Sequence, residues 1–192
     1  MTQPGFGEAA RPHLGWLYSL ARRLIGDPDT AEDVVQKALL KACRSFDEVR
    51  DLDALPAWLK RILVNCCRDH WRSEGRGFDE TSMEDMEGPS LYRILAVEDP
   101  LPYSDSLHLD FLSTFTTEDV WAVLARLKTI YRVPLVLVHM EGYSTAEVAD
   151  LLDTPRNTIL SRLHRGRKRF ETELWDYAQE RGLLRDLEGA TS

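Results

Sequence analysis

Between Ser144 and Phe170 the chain reads STAEVADLLDTPRNTILSRLHRGRKRF, and few folds accommodate that order of residues. Ser144 followed three positions later by Glu147 is a capping box, and the apolar Val148, Ala149, Leu151 and Leu152 behind it predict a short helix from Thr145. Asp153 and Thr154 end it. Thr154 is placed to cap a second helix with Pro155 in its first turn, where the missing N–H costs nothing. Ile159, Leu163, Phe170 and Leu174 then recur on one side at helical spacing. Two helices joined by a tight turn, the second cationic, read as helix-turn-helix.

Charge gives that second helix a partner class. From Pro155 to Phe170 there are six cations and no carboxylate, in a chain of formal net charge −8. A solvated basic face is the plain reading of such a run, but capping box, turn and cap in register favour a polyanion as its partner. Arg156, Asn157, Thr158, Ser161, Arg162 and Arg165 are residue types that a recognition helix turns toward base edges, and Arg167 and Lys168 lie further back, where phosphates pass. The net acidity does not oppose this. Lys and Arg stand against Asp and Glu as 12 to 11 over residues 1–78, 1 to 9 over 79–110, and 11 to 12 over 111–192, so the excess negative charge is confined to the middle.

The remainder reads as helices and one long interruption. Leu14, Leu17, Tyr18, Ala21, Leu24 and Ile25 repeat at three and four, with Gly26 as a stop. Asp29 with Glu32 predicts the start of a second helix that buries Val34, Val35, Ala38, Leu39, Ala42, Cys43 and Phe46. Its outer side carries Asp33, Gln36, Lys37, Leu40 and Lys41, and a leucine among charges there is either a scattered surface residue or part of a docking surface. A third helix, with Pro56 in its first turn, turns Leu55, Trp58, Leu59, Ile62, Leu63 and Cys66 inward and Lys60, Arg61, Asn65, Arg68 and Arg72 outward. Trp58 belongs to the buried stripe, while Trp71 fits core packing and base stacking equally.

From Ser73 to Thr116 the periodicity fails among glycine, proline and carboxylates, which predicts a linker of roughly 40 residues and hence two domains. Thr116 or Thr117 then caps EDVWAVLARLKTI, and YRVPLVLVHMEGY reads as a short helix begun by Pro134, with a buried strand as the alternative. The expected fold is all-α: an N-terminal helical bundle over 1–75, an acidic linker over 76–115, and a helix-turn-helix domain over 116–192. Cys43, Cys66 and Cys67 lack CxxC spacing and read as small core residues. No run approaches about 18 apolar residues and the N-terminus lacks a signal-peptide core, so the expected location is the cytoplasm. No phosphate loop, metal-spaced cluster or nucleophile elbow is present in the sequence, and no cofactor or metal is expected.

GDPDTAEDVVQKALLKA, then AWLKRILVNCCRDHWR, then EGYSTAEVADLLDTPRNTILSRLHRGRKRF resemble, in that order, a bacterial RNA polymerase sigma factor of the extracytoplasmic-function (ECF) group of the sigma-70 family. The resemblance implies a transcription initiation factor rather than an enzyme, with core RNA polymerase (the β′ clamp helices and the β flap), promoter DNA and an anti-sigma factor as partners. It implies core docking through Asp33, Gln36, Lys37 and Leu40. It implies capture of a flipped minus-10 base by the loop holding Arg50, Asp51, Leu52 and Asp53, with Lys60, Arg61, Asn65, Arg68, Asp69 and Arg72 along the strand's path. It adds Leu160 and His164 to the minus-35 readers. The linker's negative charge would mimic nucleic acid within the polymerase, or serve as a solvated spacer. Two rival readings remain. A stand-alone helix-turn-helix regulator leaves the first three helices unexplained, and a sigma-mimicking protein that binds anti-sigma factors has no use for the six cations.

Overall fold

The computed structural model describes residues 5–75 and 115–183. The predicted linker over 76–115, apart from Phe115, lies outside the described residues. These divide into two compact units, one of residues 5–75 with 146–154, the other of residues 115–145 with 155–183. Every regular element among the described residues is helical.

The first unit opens with a short helix α1, Phe6–Ala10, and a 3₁₀ turn, Arg11–His13, before α2, Leu14–Ile25. Gly26 ends α2 at φ 95°, a conformation open to glycine, and its N–H donates to Arg22 O at 2.9 Å. Helix α3 runs Pro28–Arg44, and its cap is Asp27 rather than the expected Asp29: Asp27 Oδ2 accepts from Thr30 N at 2.8 Å. Pro28 supplies the first helical position, which moves the start two residues upstream. Helix α4, Leu55–Ser73, completes the bundle, and each of α2, α3 and α4 packs on the other two.

Their shared core is Leu17, Leu20, Ala21 and Leu24 from α2, Ala31, Val34, Val35, Ala38 and Ala42 from α3, and Leu55, Leu59, Leu63, Val64, Cys66, Cys67 and Trp71 from α4. Alanines on α3 let the helices approach closely, while leucines on α2 and α4 fill the space between them. Phe6 meets Phe46 edge-on, ring centroids 5.4 Å apart. Trp71, open to two readings in the sequence, is 3% exposed and is a core residue. Cys43 departs from expectation: it is exposed.

In the second unit α5 runs Thr117–Arg126 behind a complete capping box: Asp119 N donates to Thr116 Oγ1 at 3.2 Å and Thr116 N donates to Asp119 Oδ2 at 2.9 Å. Helix α6, Thr129–Leu135, starts well before Pro134, which lies inside it and not at its head; a wider π turn, Val136–Met140, carries it on. Pro134 removes one backbone donor, but the turn is so apolar that burial of Ile130, Tyr131, Val133, Leu135, Val136 and Leu137 outweighs that loss. The strand alternative falls with it.

Helix α7 is Thr145–Leu152, and α8 is Arg156–Arg181. Between them Asp153 adopts φ 52°, and aspartate is one of the few residues with a side chain that tolerates this. Thr154 does not cap α8 as expected. It is buried, and its hydroxyl donates to Leu152 O at 3.2 Å, so Pro155 takes the capping position, with its carbonyl accepting from Thr158 N at 2.9 Å.

The far end of α8 is fastened to α5. Val123, Leu174, Tyr177 and Ala178 form a core with Phe115, Phe170 and Leu183 against it. Around its rim Arg126 donates from both terminal nitrogens to Glu180, at 3.2 and 2.5 Å, and Tyr177 Oη donates to Asp119 Oδ1 at 2.5 Å. The hydrogen bond from Tyr177, with those from Thr116, holds the Asp119 carboxyl down at about 2 against an ordinary 3.8. A depressed folded-state value means stability present above pH 3.8 and withdrawn as pH falls toward about 2. Asp119→Asn should therefore flatten the acid loss of helicity in that window, read by far-UV circular dichroism. An unchanged acid profile would contradict the role given to this carboxylate.

Candidate nucleic-acid and polymerase interfaces

Helix α8 turns two different sides outward and inward over its basic half. Arg156, Asn157, His164, Lys168 and Arg169 are exposed, and Thr158, Leu160, Ser161, Arg165 and Arg167 are partly so. Arg162 departs from expectation: it is 2% exposed, and its guanidinium is not turned outward with the others. The helical period explains this, since Arg162 stands three residues after Ile159 and four before Gly166, both buried, and so shares their flank. Counting cations missed what counting positions shows.

Several outward cations are steadied by groups far off in sequence. Arg156 Nε donates to Thr145 Oγ1 at 3.3 Å, Arg167 Nε donates to His139 Nε2 at 3.3 Å, and Arg169 lies over the Tyr131 ring at 5.0 Å. Desolvation by the neighbouring chain, together with the Arg167 charge, holds the exposed His139 below its ordinary value, which favours the neutral imidazole that accepts this hydrogen bond. Arg165 donates to Ser161 Oγ one turn back, which orients two predicted base readers together. Nothing in the sequence pointed to Thr145, His139 or Tyr131 as supports, because partners 11 to 38 positions away leave no periodic trace.

On α3, Asp33, Gln36, Lys37 and Leu40 are all exposed on one face, with Leu40 at 61%. Gln36 Nε2 donates to Glu32 Oε1 at 3.2 Å, which leaves the Leu40 side chain standing clear.

On α4 the period puts Arg61, Asn65, Arg68, Asp69 and Arg72 on one side. Lys60 lies off that side, half-buried, with its ammonium over the Trp16 ring at 5.3 Å. Asp69 is an acid on an otherwise basic side, and Lys41 Nζ donates to it at 3.0 Å, a bond that raises the lysine's own pKa. Cys66, one turn before Asp69, is buried, and burial pushes its thiol up. Ahead of α4, Arg50, Asp51, Leu52 and Asp53 are exposed, and Asp51 Oδ1 accepts from Asp53 N at 2.9 Å, a local turn that shapes the loop.

Residues 9–77 match the family Sigma-70 region 2, and residues 117–170 match Sigma-70, region 4. The RNA polymerase sigma-E factor of Streptomyces coelicolor is 31% identical over 169 residues, covering 88% of this chain and 85% of that one. The chain belongs to the ECF group of sigma-70 factors. The ECF sigma factor SigE of Mycolicibacterium smegmatis is 32% identical over 182 residues, 93% of this chain and 65% of that relative's length. SigW of Bacillus subtilis is 25% identical over 175 residues, 91% of each. Among solved structures, the sigma factor RpoE of Bartonella quintana, in complex with the anti-sigma factor NepR, is similar with a TM-score of 0.55 and 26% identity, over 88% of this chain and 96% of that one. As a sigma factor, this chain directs RNA polymerase to promoters. No helix among the described residues is long and apolar enough to cross a membrane.

Proposed function

We propose that this sigma factor divides its work by face: the outer side of α3 holds core polymerase, the outer side of α8 reads the minus-35 element, and the loop before α4 with the basic side of α4 holds the opened minus-10 strand. The corresponding bodies are residues 1–75 and 116–192, with 76–115 as an acidic connection. Supporting it above all is the basic half of α8, which carries no carboxylate from Pro155 to Phe170 in a chain of net charge −8.

Base reading at minus-35 then falls to Arg156, Asn157, Thr158, Leu160, Ser161, His164 and Arg165, with Arg167 and Lys168 on phosphates. Arg162 supports the helix from within. At minus-10 a base must leave the stack to be read, and binding energy at an exposed loop beside a basic groove is how a strand is trapped without chemistry. The polymerase partners are the β′ clamp helices for α3 and the β flap for the C-terminal body. An anti-sigma factor is a further partner, supported by the likeness to RpoE held by NepR. An exposed Leu40 among the charges of α3, for which a stand-alone regulator has no use, favours this reading over that one.

Arg165→Ala should cost about 1–3 kcal/mol at the minus-35 element and relax its base preference, with core binding intact. Lys168→Ala should instead weaken all DNA alike and lower the salt slope by about one. Gel-shift titrations on duplex, beside co-purification with core enzyme, separate the two. Equal loss of DNA and polymerase binding in Arg165→Ala would refute the division.

A further inference from the structure

Arg167 is turned toward an imidazole and not a carboxylate. Its Nε donates at 3.3 Å to Nε2 of His139, which stands on the π turn Val136–Met140. Both residues belong to the second unit. The bond occupies Nε alone, so the two terminal nitrogens of the guanidinium are left for an anion, and a neutral ring brings no charge to compete with that anion. His139 is itself exposed, as is Lys168 next to Arg167 on α8, so a strand reaching the guanidinium also reaches the ring.

In the free chain the ring is kept neutral, first by desolvation and then by the Arg167 charge. Of the charged groups packed near it, Arg167 from α8 is the one whose field acts on the ring; Glu141, two residues along its own segment, does not. A phosphate seated on Arg167 cancels that field and offers an acceptor to a ring N–H. The imidazole then takes a proton from solvent and turns from acceptor to donor, so that ring and guanidinium hold one phosphate from two sides.

We propose that His139 is a further contact to the DNA backbone, sharing with Arg167 one phosphate of the minus-35 element and drawing a proton into the complex. The inference rests on the reading of α8 given above, and adds to it a residue from outside the helix-turn-helix.

The test uses the full chain and a fluorescein-labelled duplex of mixed sequence, since a backbone contact needs no particular bases, followed by anisotropy at low salt at about pH 8 and about pH 6. His139→Gln is the deciding variant: its side-chain carbonyl still accepts from Arg167 but takes up no proton. Of the five histidines the other four are present in both chains, so their titration cancels. A group whose pKa rises on binding strengthens the complex as pH falls, so parent and variant should bind alike at about pH 8. At about pH 6 the parent should bind about two- to fivefold more tightly than His139→Gln, with a salt slope steeper by up to about one. On an Arg167→Ala background, His139→Gln should change little at either pH. Equal affinities of parent and His139→Gln at both pH values would overturn the contact and leave His139 as a support for Arg167 alone. The same loss at both pH values would mark a structural role and overturn it too. Arg167→Ala binding as tightly as the parent throughout would show that Arg167 touches no phosphate, and the reading of α8 at that position would fail together with the contact.

Discussion

A chain carrying Asp33→Arg and Leu40→Asp together is expected to pass through immobilised core RNA polymerase without being retained. Leu40 is 61% exposed on a helical bundle whose own packing does not use it, and Asp33, Gln36 and Lys37 surround it on the same face of α3. Burying one leucine side chain contributes roughly 1.5–3 kcal/mol, and each 1.4 kcal/mol is about tenfold in affinity. A carboxylate in its place must also be desolvated, so the combined loss should be at least about a hundredfold. Both positions face outward, so thermal melting of the variant should match the parent, which separates lost docking from lost fold. Undiminished co-purification would disprove the assignment of this face.

Gly166→Val should destabilise the second unit by about 1–3 kcal/mol. A Cβ at that position would stand 3.1 Å from Leu135 Cδ1 and 3.3 Å from Tyr131 Cβ, where α8 crosses α6. Leu135 can rotate a methyl away, but the Tyr131 Cβ is fixed to its backbone, so a branched side chain must push the helices apart. For a unit of this size a loss of 1 kcal/mol lowers the melting temperature by roughly 4–8 °C. The basic side of α8 is positioned by that crossing, so duplex DNA binding should fall with it. A melting curve that matches the parent would show the crossing to be looser than the distances state.

Most of this arrangement was legible in the sequence, and the parts that were not share a cause. Helices α2, α3, α4, α5, α7 and α8 follow from apolar residues at three and four, because burial of one stripe is a local, periodic requirement. The outward face of α3 was legible for the same reason. Caps were less so: Asp27 and Asp29 both offer a side-chain oxygen, and Pro28 decides between them by fitting the first turn. At Thr154 the left-handed Asp153 turns the chain so that the hydroxyl points back to Leu152 O, a tertiary outcome with no local mark. Pro134 invited a helix start, and the density of apolar residues upstream overrode it.

Within the candidate site, the cationic set is plain from residue types, but type alone could not say that Arg162 lies inward and Lys60 leans over Trp16. The first was recoverable from the helical period, given Ile159 and Gly166 as its flank. The second was not, since Trp16 sits 44 positions earlier on a different helix. The contacts of Arg68 and Arg72 with Leu151 and Asp153 span 83 and 81 positions and left no trace in either segment alone.

As a sigma factor, this chain, added to core polymerase, chooses where transcription begins. Run-off transcription from a randomised promoter library, with purified bacterial core enzyme and the full chain, measures that choice directly. Templates sharing two short sequence blocks at a fixed separation should be enriched, the upstream block losing definition in Arg165→Ala. Transcripts that start without preference, identical with and without the chain, would contradict it.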